Sequence, residues 1–90
     1  MVLRRILIKG VVDVKRRMLA LDADLHADLE AFLLENGSRQ MDLWGINIYP
    51  DETEDFLEYD SLINIRPMQG NRSRGVDDPE IRRQVAEVVA

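Results

Sequence analysis

An α+β fold is predicted for this sequence: an antiparallel β-sheet with helices packed on one face, in the approximate order β-β-α-β-β-α. Three observations carry the prediction. Runs rich in β-branched residues are punctuated by charged or proline-containing turns, and two segments repeat apolar residues at the helical period. The second of these opens with the helix-starting sequence Asp78-Pro79-Glu80.

Ile6 to Val14 is rich in valine and isoleucine and reads as a strand. Lys15-Arg16 then turns the chain into a second strand, Arg17 to Leu21, although neither residue favours a hairpin turn. One long strand or a short helix fits the same stretch. Ala23 to Glu35 fits a helix, with Leu25, Leu29, Phe32 and Leu33 on one face, Asp22 or Asp24 as its cap and Asn36-Gly37 as its stop. Leu25, Ala27, Leu29, Ala31 and Leu33 also alternate as a strand would, but that arrangement leaves Phe32 and Leu34 on the wrong face. The helix is preferred.

Leu43 to Tyr49 reads as a strand stopped by Pro50, and the acidic stretch Asp51 to Asp55 as a solvent loop. Phe56 to Arg66 is the next strand, halted at Pro67 and paired antiparallel with its predecessor. In the last helix Asp78 is the cap, Pro79 suits the first position and Glu80 lies in the positive first turn. Its buried stripe is Ile81, Val85, Val88 and Val89, and it runs to Ala90 without a cap, so the natural chain is expected to continue.

Ninety residues make a single α+β domain, residues 1–90, with a thin core that a second copy would help to cover. With 46% apolar and 32% charged residues the composition is that of a globular protein. There is no cysteine, which removes disulfides and thiolate metal sites and points to a reducing, cytoplasmic setting. No secretory signal and no bilayer-spanning apolar run is visible, so no membrane partner is expected. A net charge of −5 argues against bulk nucleic-acid binding. The charge is unevenly placed: residues 2–21 carry six basic residues and only Asp13 as an acid, 22–60 carry twelve acids against Arg39, and 61–76 carry Arg66, Arg72 and Arg74 with no acid. Such blocks suit self-association or the steering of a charged ligand, and they equally suit ordinary solvated faces.

The segment 64–75 holds the densest set of side-chain donors: Arg66, Gln69, Asn71, Arg72 and Arg74, with Gly70 and Gly75, leading to a helix start. Arginine forks fit carboxylates and phosphates, and glycine lets backbone N–H groups approach an anion. An anion-binding loop over 66–75 is the expectation. The spacing matches neither the Walker loop nor the dinucleotide fingerprint, and Asp77 and Asp78 compete for the helix start. In a structural reading the arginines pair with the acidic middle of the chain while Gln69 and Asn71 tie down loop backbone.

The lone His26 sits among Asp22, Asp24, Asp28, Glu30 and Glu35. On a helix His26 and Glu30 share a face at metal-ligand spacing, with Asp22 one turn earlier. On a strand His26, Asp28 and Glu30 would align instead. Either set suits a divalent ion or an acid–base pair, and both compete with a plain solvated face. Trp44 reads as a core anchor, and Asn47 and Tyr49 alternate to the opposite side, where a wet sheet face would offer a ligand or dimer surface.

The stretches Leu25-His-Ala-Asp28, Leu33-Leu-Glu-Asn-Gly-Ser38, Asp42-Leu-Trp-Gly45 and Ile65-Arg-Pro67, with Gln69-Gly-Asn-Arg-Ser-Arg-Gly-Val76 and Asp78-Pro-Glu-Ile-Arg82, resemble a family of small prokaryotic proteins known only as a domain of unknown function. The likeness runs from about Val11 to the end. It implies a small cytosolic protein and brings no activity with it. The expectation is therefore a homodimeric binding module whose arginine loop meets an anionic group on a small molecule or protein partner, without a cofactor. The alternatives are a metal-assisted hydrolase of a phosphate-containing substrate and a purely structural subunit.

Overall fold

Asp13 makes the first turn. In the computed structural model, which describes residues 6–90, β1 (Ile8–Asp13) and β2 (Met18–Leu21) form an antiparallel hairpin. Asp13 is fully buried; its Oδ1 accepts from the N–H groups of Lys15 (3.0 Å) and Arg16 (2.9 Å), and its Oδ2 from the Ser38 hydroxyl (2.6 Å). An aspartate side chain thus closes the turn that Lys15-Arg16 could not close by preference, and Arg17 takes the positive φ.

Helix α1 (His26–Glu35) starts three residues later than predicted. Its N-cap is Leu25, with no side-chain cap, so neither Asp22 nor Asp24 performs the expected role. The buried stripe is also narrower, consisting of Leu29 and Leu33, while Leu25 and Phe32 are 59% and 57% exposed. Leu25 lies before the helix in extended backbone, which removes it from the helical face. The stop is as expected, with Asn36 as C-cap and Gly37 at φ 100°.

Strand β3 (Leu43–Ile48) pairs antiparallel with β1, placing Val12 opposite Trp44 and Val11 opposite Gly45. The predicted strand 56–66 survives only as β4 (Leu57–Glu58), which pairs with Ile48 and Asn47. Short 3₁₀ turns follow at Leu62–Asn64 and Pro67–Gln69, and α2 (Pro79–Val89) closes the chain with Asp78 Oδ1 accepting from Glu80 N–H (2.8 Å). The sheet order is β2-β1-β3-β4.

The class and element order match the prediction, and the helices pack against the sheet. They take one face each, where the sequence reading had them share one. Leu29 and Leu33 of α1 pack on Val11, Ala20 and Leu43. Val85 of α2 packs with Val76 on Val12, Trp44 and Ile46. Neighbouring residues of a strand point to opposite faces, so the pairs Val11-Val12 and Leu43-Trp44 make both faces apolar, and both need a cover.

Beyond Glu58 a side chain replaces the missing strand. Asn64 is fully buried; its Oδ1 accepts from Gly45 N–H (2.8 Å) and its Nδ2 donates to Gly45 O (3.0 Å) and Arg74 O (2.9 Å). Close approach requires glycine at 45, because a Cβ there would lie 2.5 Å from Cβ and Oγ of the buried Ser61. Asn71 extends the network: its Nδ2 donates to Asn64 O (2.8 Å) and Gly75 O (2.8 Å), and its Oδ1 accepts from Asp77 N–H (2.8 Å).

Two substitutions probe this contact. Gly45→Ala is expected to destabilise the protein by about 3 kcal/mol, the overpacking cost where the neighbour cannot yield. Asn64→Asp keeps the shape but turns a carboxylate oxygen towards two carbonyls, and should cost at least about 3 kcal/mol. Urea denaturation of both variants beside wild type measures this.

Candidate functional site

A groove of about 700 Å³ opens on the α1 side of the sheet, beyond the end of the helix-covered core. Its floor follows from register. Lys9, Asn47 and Glu58 are cross-strand neighbours on β1, β3 and β4, so their side chains line up on one face. Leu25, His26 and Ala27 form one wall, and residues 60–63 with Arg74 form the other. The floor is polar where the core beneath α1 is apolar, because here the chain places charged and amide residues at the inward positions of the same strands.

Asn47 is the centre of the floor and only 5% exposed. Its Nδ2 donates to Glu58 Oε1 (2.9 Å) and to Asp60 O (3.2 Å), which fixes the orientation of the amide because both partners only accept. Its Oδ1 is buried and makes no hydrogen bond of normal geometry, although the Asn47 side chain lies close enough to the His26 ring to raise the pKa of that ring. Glu58 Oε1 also accepts from the Tyr49 hydroxyl (3.1 Å). The Asp60 carboxylate holds Arg74 Nε at 2.7 Å, and among the described residues no carboxylate pairs with Lys9.

His26 comes into the groove from the first residue of α1 and bonds through Nε2 to Ile46 O at 2.7 Å. A carbonyl only accepts, so Nε2 carries the proton and the neutral ring keeps its lone pair on Nδ1. Burial lowers the His26 pKa from the ordinary 6.5; the Ile46 carbonyl opposes this, the Lys9 charge adds to it, and Asp60 and Asn47 oppose it.

The sequence-predicted residues separate. Arg66 is built into the frame: its guanidinium lies 4.2 Å from the centre of the Trp44 ring and donates to Leu43 O (2.6 Å) and to Gln40 O. Burial lowers its pKa, with Glu30 and Asp42 opposing. Gln69 donates to Met41 O (2.7 Å), and Asn71 holds the loop as described. The loop also supplies its own anion, since Asp77 accepts from Arg72 N–H (3.0 Å) and the Ser73 hydroxyl (2.6 Å). The Arg72 side chain is exposed, and Arg74 alone of the loop arginines reaches the groove.

Of the metal candidates, only His26 lines the groove. Asp22 is exposed, and Glu30 lies on the Arg66 side. Among the described residues no three His, Cys, Asp or Glu side chains converge to hold a metal ion. Lys9 and Glu58 were not singled out from the sequence. A lysine inside an apolar strand was the available signal for the first, and Glu58 needed the β3–β4 register. Asn47 and Tyr49 were flagged through alternation.

Fold and groove together define a small α+β domain with a mixed polar and apolar cleft. The chain belongs to a family described as protein of unknown function (DUF5674), whose model matches residues 2–90. No curated protein and no solved structure matches it. Among the described residues no helix is long and apolar enough to cross a membrane.

Two measurements follow. A histidine whose folded pKa is depressed binds its proton first in the unfolded state, so stability falls as pH drops through the unfolded value near 6.5 and levels off below the folded value. Thermal melts of wild type and His26→Gln should therefore diverge below about pH 6.5, wild type losing more. Arg66→Lys cannot reproduce the stacked fork and should cost about 2 kcal/mol, whereas Arg72→Ala should stay within about 0.5 kcal/mol of wild type in the same denaturation assay.

Proposed function

We propose that this protein is a small-molecule binding module whose ligand occupies the groove over Lys9, Asn47 and Glu58. The observation that carries the reading is Asn47 Oδ1, an oriented acceptor buried on the groove floor that makes no hydrogen bond of normal geometry. Leaving such a group unpaired costs about 1–3 kcal/mol, a penalty that a donor on a ligand would remove. His26 Nδ1 adds a second acceptor, so an N–H or O–H group on the ligand suits this end of the cleft.

Lys9 supplies a cation with no carboxylate of its own among the described residues, and the terminal N–H groups of Arg74 stay available beyond the Nε contact with Asp60. These two suit a carboxylate or phosphate. Leu25, Leu62 and Ile63 suit an apolar portion between the polar ends. The ligand class is a small, partly apolar molecule with one acidic group and one hydrogen-bond donor. The predicted anion-binding loop contributes to this reading through Arg74, with Arg66, Gln69 and Asn71 serving as framework.

Amide NMR titration with a panel of carboxylic acids, phosphate monoesters and nucleotides tests it. A saturable hit should move the resonances of Lys9, Asn47, Glu58 and Arg74, and Lys9→Gln should weaken it roughly tenfold, the effect of losing one charge-assisted bond. A panel that leaves these amides still, or hits equally tight in Lys9→Gln and Arg74→Gln, refutes the reading.

A further inference from the structure

The two edges of the sheet are treated differently. On the β3 side the outward backbone groups of Leu43, Gly45 and Asn47 are taken by Arg66, Asn64 and β4. The other edge is β2, and among the described residues its backbone pairs only with β1. Bonding alternates along an antiparallel ladder. Because Gly45 bonds outward, Trp44 and Ile46 bond to β1, Val11 and Asp13 bond to β2, and the N–H and C=O of Leu19 and Leu21 are directed away from the sheet.

An edge in this state is a template for another strand unless charge, proline or a covering element blocks it. Met18–Leu21 contains no charge and no proline, and Met18 and Leu21 are 39% and 49% exposed. The flanks identify the partner. Lys15, Arg16 and Arg17 precede the strand, Asp22 and Asp24 follow it, and all five are exposed, Arg16 also donating to Asn36 O (2.8 Å) and Arg17 lying 3.6 Å from Glu87 while both keep N–H groups turned to solvent. Beside a second copy running antiparallel, each basic turn meets the acidic stretch of the other, whereas a parallel copy would set like charges together.

We infer that β2 is a dimerisation edge. Two copies pair antiparallel about Ala20, Leu19 of each exchanging its outward backbone bonds with Leu21 of the other, so that the sheets join into one of twice the width. The contact is two-fold and closed, and the side chains that seal β3 stop further growth. This surface uses no groove residue and stands independently of the ligand reading.

Sedimentation equilibrium of the full chain over a concentration series provides the test. Wild type is expected at twice the mass of the chain, with association weakened by high salt. Lys15→Glu/Arg17→Glu and Asp22→Lys/Asp24→Lys, each checked for an unchanged circular dichroism spectrum, should each fall to the monomer mass. An equimolar mixture of the two should recover the doubled mass, because each reversed end then meets its complement. Leu21→Lys, which charges the edge without touching the turn, should also give a monomer. A wild-type monomer at every concentration, variants that stay dimeric, or reversed variants that do not recombine would each overturn the assignment.

Discussion

Past Glu58 no strand remains to cover β3, and the backbone of Gly45 would stand unpaired in the interior but for the carboxamide of Asn64. One amide side chain presents a donor and an acceptor in the pattern of a neighbouring peptide group, and so extends the ladder by a single residue. The rest of the loop depends on this contact. The Arg74 carbonyl accepts from both Asn64 Nδ2 and Ser61 N–H, which brings the segment before α2 against the sheet. Asn71 then fixes the chain from Asn64 to Asp77, and α2 starts from a defined point on the face that its valines cover.

This explains what the sequence disclosed and what it withheld. Periodicity with the Asn36-Gly37 stop exposed α1, periodicity with the Asp78 cap exposed α2, and β-branched runs exposed β1 and β3, because those signals are local. The apolar pairs Val11-Val12 and Leu43-Trp44 carry the signal for two buried sheet faces, but strand alternation turns it into opposite places for the helices only once the sheet is known, and the expectation of one shared face missed it. The end of β4 was hidden. Residues 59–66 look like a continuing strand, and only the demand of Gly45 for a close partner, with Ser61 filling the space of its absent side chain, turns them into a 3₁₀ turn. That demand arises across a separation of nearly twenty residues, where no local pattern carries it. The hairpin turn was hidden in the same way, since Asp13 closes it from a buried position that reads as a strand residue.

The candidate site was legible in part for a related reason. Alternation separates Asn47 and Tyr49 from the core side of β3, but the identity of their neighbours depends on register with β1 and β4. Once register is known, Lys9 and Glu58 become floor residues. The histidine was easy to notice, and its surroundings were misleading, because none of the acids near it in sequence is among the groups that shift its pKa. The groups that act on His26 come from Ile46, Lys9, Asp60 and Asn47.

Residue type alone therefore ranks the functional candidates poorly in a chain this small. The segment 64–75 concentrates arginine and amide side chains, yet Arg66, Gln69 and Asn71 satisfy backbone carbonyls of Gln40, Met41 and Leu43 around the start of β3 and of the loop itself. Here the donors are drawn into the frame, and among the described residues the groove keeps Lys9 without a carboxylate and the terminal N–H groups of Arg74 beyond its Asp60 contact. The same argument holds at the backbone. Side chains close one edge of the sheet, and among the described residues none closes the other, so the outward polar groups of β2 are left to water or to a second copy.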